Sequence, residues 1–205
     1  MGRDKNFFIH STAILNNPFR FLQGCIPLDL GENKGYQFPK ELYIGPYTLI
    51  GQNVVFGERV IVDAYCSIDA DVVIGKDTLV TYRSSIGFSS DIGNNCVIGG
   101  FIPENCIIGD NCRVFGKLVH THSDTTLSWD HHEVPEKSPI IHEMSFVGFD
   151  AVISGGVEVG PHSFVCAGAI ITRNVDPYCI AFGTNQITHF TNWRGQLKNN
   201  PVFRK

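Results

Sequence analysis

The sequence has no apolar run approaching the roughly 20 residues that cross a bilayer as a helix. It also lacks an excess of positive charge: 16 Lys and Arg stand against 20 Asp and Glu, for a net charge of −4. That argues against nucleic acid as the main partner, which would need a basic footprint. No C-x-x-C pair occurs among the seven cysteines, so neither the redox nor the zinc spacing is present. The first residues, Met1 to Ile9, show no apolar signal core and no small-residue cleavage site. Asn6 stands where myristoylation usually wants Ser or Thr. These absences lead to the expectation of a cytoplasmic protein without membrane or nucleic-acid partners. Its 205 residues fit one domain.

What is present is a beat of six. Positions 44, 50, 56, 62, 68, 74, 80, 86, 92 and 98 are Ile, Ile, Phe, Val, Ile, Ile, Val, Ile, Ile and Ile. A two-residue slip follows, and Ile102, Ile108 and Val114 keep time. The beat returns at Val147, Ile153, Val159, Val165 and Ile171. Gly often comes next, as at Gly45, Gly51, Gly57, Gly75, Gly87, Gly93 and Gly99. A sandwich of alternating strands would give period two with irregular spacing. A period of six predicts an all-β parallel β-helix, in which each unit is a short strand plus a corner. The glycines are expected at the corners to supply dihedrals that a Cβ would penalise. No unit can bury its own face, so stability must come from stacked neighbours.

A second inward ladder is predicted at the fifth position of each unit: Thr48, Val54, Val60, Cys66, Val72, Thr78, Cys96, Cys106, Cys112, Ala151, Val157 and Ala169. Four cysteines fall on it, and they read as buried, reduced thiols.

The beat fails in three places. Residues 1–43 hold a first rung, with Ile9 in the aliphatic place and Ala13 in the small one, then an aromatic and Pro-containing stretch read as a cap. Residues 120–146 form one long protruding loop, polar and rich in histidine: four of the eight histidines lie between 120 and 132. Long loops on rigid scaffolds are where function tends to sit. After 185 the pattern gives way to a short, irregular or helical C-terminal tail, 186–205, with Phe190 to Leu197 as a turn that plugs the end. Residues 1–185 are expected to form a single β-helix domain.

The stretch Phe146-Val-Gly148-Phe149 to Cys166-Ala167-Gly168-Ala-Ile-Ile-Thr172-Arg173-Asn-Val-Asp-Pro177 resembles the hexapeptide-repeat acyltransferases, whose usual ending is close to V-I-G-A-G-S-V-V-T-K-D-V-P-P. The resemblance runs over roughly residues 44–185. It implies a left-handed β-helix, a homotrimer, and acyl transfer from coenzyme A, usually acetyl-CoA, to a hydroxyl or amine of a small-molecule acceptor. It also implies an active site in the groove between subunits, with a catalytic loop His. The cofactor contacts it implies are Gly148, Phe149, Ala167, Gly168, Thr172 and Arg173. Two departures stand out. Phe149 replaces a small residue, and Gly183-Thr-Asn-Gln replaces G-N-P-A.

Acyl transfer needs a base for the acceptor proton and donors for the oxyanion. His suits the first task at neutral pH, and backbone amides at the coil corners suit the second. His122 and His120 both fit family alignments, and both stand as candidate bases. Asp124 or Glu133 could orient the ring. Trp129 suits a sugar face or the cofactor. No metal is expected. Two alternatives compete: a carbonic-anhydrase-like zinc enzyme on the same fold, for which His120, His122, His131 and His132 supply ligand types, and a non-enzymatic scaffold.

Overall fold

A computed structural model describes residues 7–17, 39, 41–121, 126 and 137–204. The architecture is all-β, a parallel β-solenoid consistent with the left-handed β-helix implied by the resemblance. Three parallel sheets form its faces. The chain visits them in rotation, as in Leu42–Ile44 on the first face, Leu49–Gly51 on the second and Val55–Phe56 on the third. The first edge joins the first and second faces, the second edge joins the second and third, and the third edge closes the coil.

Register follows the beat. Ile44 pairs with Val62 and Ile50 with Ile68, giving coils of 18 residues. Each aliphatic therefore lands on an aliphatic of the next coil, and the column is buried, with Ile44, Ile50, Val62, Ile98 and Ile153 fully inaccessible. The N-terminal rung is present as expected: Ile9 pairs with Ile44, and Ala13 is buried. Of the stretch from Asn16 to Glu41 read as a cap, residues 18–38 and 40 lie outside the described residues.

The fifth-position ladder is buried throughout, and its chemistry exceeds simple packing. Its hydroxyls and thiols donate to carbonyls at the next coil's corner: Thr48 Oγ1 to Asp63 O at 2.9 Å, Cys66 Sγ to Thr81 O at 3.1 Å and Cys112 Sγ to His142 O at 3.1 Å. Ser84, Ser90, Ser145 and Ser163 do the same. A small donor at this position thus gives a carbonyl of the following coil a hydrogen bond from within the stack.

The glycines correct the expectation drawn for them. None of those that follow an aliphatic has a positive φ. The left-handed conformation falls two residues later, on residues with side chains, such as Tyr47 (φ 56°), Asn53, Asp71 and Asn95. The amide there bonds to the previous coil, as in Tyr65 N to Pro46 O at 2.9 Å, which offsets part of the strain. The glycines are required by close approach instead. A Cβ at Gly45 would lie 2.8 Å from the Ala64 amide nitrogen, and one at Gly87 would lie 2.5 Å from that of Glu104.

Three shortened corners break the 18-residue period. The slip after Ile98 was legible, and it pairs Ile86 with Ile102 in a 16-residue coil. A second lies between Val114 and Leu118, and a third between Ile171 and Val175, which bridges to Val159. At the first two, Gly100 and Gly116 meet on the first edge, where a Cβ on Gly100 would collide with the Gly116 carbonyl oxygen.

The long insertion is shorter than expected. Ile140–Ile141 already pairs with Ile107–Ile108 and with Glu158–Val159, so the solenoid resumes at 140, not 147. Ile141 stands six before Val147 and restores the beat one unit early. At the C-terminal end, Cys179–Phe182 adds one more strand to the first face. Gln186–His189 then returns antiparallel along it, a hairpin that the repeat could not foretell. This strand covers the open edge of the first sheet. The tail continues as three short 3₁₀ turns, Phe190–Asn192, Gln196–Asn199 and Pro201–Phe203. It is anchored by the Phe190–Phe203 stack (4.8 Å) and by His162 Nδ1 on the Val202 carbonyl (2.7 Å).

Gly100→Ala should lower stability by about 1–3 kcal/mol through overpacking. Gly168→Ala, at φ 68° with open space around it, should lose only about 1–2 kcal/mol of backbone strain. Denaturant midpoints of the two variants check the order. Burial pushes the Cys66 thiol up to about 11 and raises that of Cys106 further. Iodoacetamide at pH 8 should therefore leave Cys66 and Cys106 unlabelled in the native protein and label both in denaturant, as mapped by mass spectrometry.

Candidate functional site

The second edge carries the first group of predicted residues. His120 follows Lys117–Leu118 directly and is half-buried where the chain leaves the solenoid. The insertion's ends are drawn together there by the Thr121 amide, which donates to Lys137 O at 3.4 Å. The next rung presents Gly155 and Gly156. A Cβ on Gly155 would lie 2.5 Å from Thr121 N and 2.9 Å from the His120 carbonyl carbon, so His120 rests against this glycine. One rung further, beyond Ile171, come Thr172 and Arg173, both exposed. Rungs are about 4.8 Å apart, so His120 and this pair are separated by two rungs along one edge.

Thr172 and Arg173 are held by a residue that the sequence reading did not single out. Asn185, at φ 54°, accepts from the Thr172 amide at 2.8 Å and donates to Thr172 Oγ1 at 2.7 Å. Its carbonyl accepts from Arg173 Nη2 at 2.6 Å. It sits in the Gly183-Thr-Asn turn of the terminal hairpin, the place where the family ending was seen to depart. An Asn after Gly in a chain exit is a turn signal, but its partners depend on the hairpin.

The other predicted contacts stand on the first edge. Gly148 lies against Ala167, with a hypothetical Cβ 2.5 Å from that residue's amide nitrogen. The Gly168 amide donates to Phe149 O at 2.9 Å. Phe149, 61% exposed, stacks on Phe115 of the preceding coil at 4.5 Å and 18°. Its ring therefore leans away from Ala167 and Gly168, which remain exposed on the edge. Phe115 fills the recess of the shortened corners, where it would meet any Cβ on Gly99 at 2.6 Å. Phe149 thus packs, through Phe115, against the recess that the shortened corners leave beside it.

The six predicted cofactor contacts therefore divide between two edges. Face two lies between them, with Lys117, Val152 and Ile170 pointing outward. About five extended residues span it, roughly 16 Å.

His122, Asp124, Trp129, His131, His132 and Glu133 lie outside the described residues. The zinc alternative rested on four histidines, of which only His120 is described. Among the described residues, no group of three or more His, Cys, Asp or Glu could hold a metal ion, and no helix is long and apolar enough to cross a membrane. His142 pairs with Glu158 at 3.1 Å on the third face, away from the second edge. Arg194, Lys198 and Arg204 are exposed on the tail. Trp193 sits edge-on to Phe182 at 5.0 Å.

The family described as hexapeptide repeat of succinyl-transferase matches residues 140–173, from the rung after the insertion to Arg173. No curated protein matches the chain. Among solved structures, a UDP-N-acetylglucosamine acyltransferase from Campylobacter jejuni is 15% identical, with a TM-score of 0.47 over 88% of this chain and 73% of that one. A hexapeptide-repeat containing acetyltransferase from Vibrio cholerae is 21% identical, with a TM-score of 0.37 over 71% of this chain and 72% of that one. PerB from Caulobacter crescentus, solved with CoA and GDP-perosamine, is 16% identical, with a TM-score of 0.39 over 89% of this chain and 56% of that one. The match at 140–173 falls on coils whose register the structure shows, and the chain as a whole is an all-β parallel solenoid built on a six-residue repeat.

Proposed function

We propose that the protein is a coenzyme A-dependent acyltransferase that acetylates a hydroxyl or amine of a small-molecule acceptor, with a sugar as the favoured class. The observation that carries this reading is the second edge. There an imidazole, His120, and a fixed Thr172–Arg173 pair share one line of corners, with a glycine turn between them and no bulky side chain on that turn.

Arg173 suits the phosphates of coenzyme A, because its guanidinium is exposed, oriented by Asn185 and without a carboxylate partner among the described residues. Thr172, Ala167 and Gly168 present short side chains and backbone to a thin, extended arm. When bound, the cofactor supplies the acyl group as a thioester. The chain's task is then to take a proton and to position the acceptor. His120, or His122 two residues on, accepts the proton from the attacking hydroxyl or ammonium through a neutral ring nitrogen. Corner amides supply donors for the developing oxyanion.

The split of contacts between two edges fits an assembly in which each groove takes one edge from each of two subunits. On this reading the protein works as a homotrimer, and the trimer completes the site. Trp129, by its residue type and its place in the insertion, favours an acceptor ring with an apolar face.

The test is release of free thiol from acetyl-CoA across a panel of sugars, amino sugars and nucleotide sugars. The His120→Ala/His122→Ala double variant should lose about 10²- to 10⁴-fold in kcat on the accepted substrate, and the two single variants should show which ring carries the loss. Undiminished transfer by the double variant would rule out a loop histidine as base. Light scattering of the wild type should give three times the mass of one chain.

A further inference from the structure

We propose that the cap of short 3₁₀ turns over residues 190–203 is a docking surface for an anionic membrane, which the solenoid meets end-on. Charge sets this surface apart. Four of the 16 Lys and Arg lie after Asp176, at Arg194, Lys198, Arg204 and Lys205, and none of the 20 Asp and Glu does. Residues 177–205 therefore carry a side-chain charge of +4, and residues 1–176, with the other 12 cations, carry −8. The overall balance of −4 conceals this division. The expectation of no membrane partner rested on the lack of a spanning run, which a contact with headgroups does not need.

The cap is tied to the last coil at both ends of its terminal strand. After Gln186–His189, the Phe190 amide donates to Tyr178 O at 3.0 Å, on the third edge. Trp193 sits edge-on to Phe182, the last residue of Cys179–Phe182, at 5.0 Å. His162 Nδ1 donates to Val202 O at 2.7 Å, and Phe203 is buried. Arg194, Lys198 and Arg204 are exposed on this cap, and Lys205 lies outside the described residues. A Cβ on Gly195 would lie 2.9 Å from Trp193 Nε1, so the indole lies beside the turns that carry Arg194 and Lys198. The cations therefore stand on packed backbone, and little of their ordering remains to be lost on contact.

Two observations favour a bilayer over another polyanion. A long polyanion that crossed the cap would run on to the flanks of an acidic body, whereas a plane met end-on touches the cap alone. Trp193, Leu197 and Val202 are half-buried among the cations. An indole and aliphatic groups suit the boundary between headgroups and acyl chains, and they add little against a phosphate or sulfate backbone. Each cation held close to an anionic surface contributes about fivefold in affinity, so a few per chain give reversible, salt-sensitive docking.

Docking of this kind goes beyond the acyl-transfer reading and is independent of it, since it is measured without donor or acceptor. Where both hold, the second-edge site works close to the membrane surface, because Arg173 is bonded to Asn185 in the same terminal hairpin from which the cap continues.

Co-sedimentation of the full chain with vesicles tests the surface, using phosphatidylcholine alone and an equal mixture with phosphatidylglycerol. The protein should pellet with the mixed vesicles and not with phosphatidylcholine, and added salt should release it. Arg194→Gln, Lys198→Gln and Arg204→Gln should each weaken binding about fivefold, and the triple variant about 100-fold, with thermal unfolding unchanged. Lys76→Gln with Lys117→Gln, on the body of the solenoid, should leave binding as it was. The chain has two Trp, so a Trp129→Phe background isolates Trp193, whose emission should move to shorter wavelength on the mixed vesicles. The surface is refuted if the wild type ignores the mixed vesicles at low salt, or if the triple variant binds them as the wild type does. Retention on heparin through these cations, with no binding to vesicles, would reassign them to a soluble polyanion. Release of vesicle-bound protein by excess coenzyme A would reassign them to cofactor phosphates and likewise overturn the membrane assignment.

Discussion

Each inner coil of the described solenoid hydrogen-bonds to the coils before and after it, and none can bury its own inner face. That mutual dependence is the constraint from which the other features follow. The parallel ladders keep rungs in register, so an aliphatic must recur wherever the chain returns to the same place. The corners must come close enough for backbone to touch backbone, so many of the residues just past the aliphatics are glycine. The carbonyls turned inward at the corners must find donors, so small hydroxyls and thiols line the second ladder. A cysteine at such a position serves as a weak donor of the right size, with no disulfide partner and no metal required.

The same constraint organises the candidate site. A rigid stack turns positions far apart in sequence into neighbours along an edge. His120, Gly155 and Thr172 are 35 and 17 residues apart in sequence, yet they occupy three consecutive rungs. The long insertion costs the stack little because its ends leave and re-enter at one corner, where Thr121 meets Lys137. The terminal hairpin serves twice: its strand covers the first sheet's edge, and its turn holds Thr172 and Arg173 through Asn185. End-capping and site-building are here one device, which ties the position of the Arg173 guanidinium to the stability of the chain's exit.

Much of the fold could be read directly. The inward aliphatics, the small ladder, the N-terminal rung and the buried thiols all follow from the six-residue beat, because period and burial are two statements of one geometry. The second and third shortened corners were not legible. Val114 to Leu118 and Ile171 to Val175 are ordinary sequence steps until the coil partners Ile98 and Val159 are known. The role of the glycines was misread for the same reason: a single chain trace shows a corner, whereas the neighbouring coil shows the clash. The insertion's end at 139 was hidden because Ile140–Ile141 is one unit without the glycine that marks its relatives.

What the sequence determined by itself was the repeat, and with it most of the residues that face the core, with Leu118, Ile141 and Val175 among the exceptions, since a local period of six needs no partner to be seen. It also named most of the residues of the candidate site, through their types and their place in the family ending. Only the tertiary structure decided how they are grouped. It set His120, Thr172 and Arg173 on one edge and Gly148, Phe149, Ala167 and Gly168 on another, turned the Phe149 ring onto Phe115, and brought Lys137 and Asn185 to the site. The reason is physical. Which edge a residue occupies depends on the running count of residues around all earlier coils, and two-residue contractions and one long insertion shift that count in ways that only the stacked partners reveal.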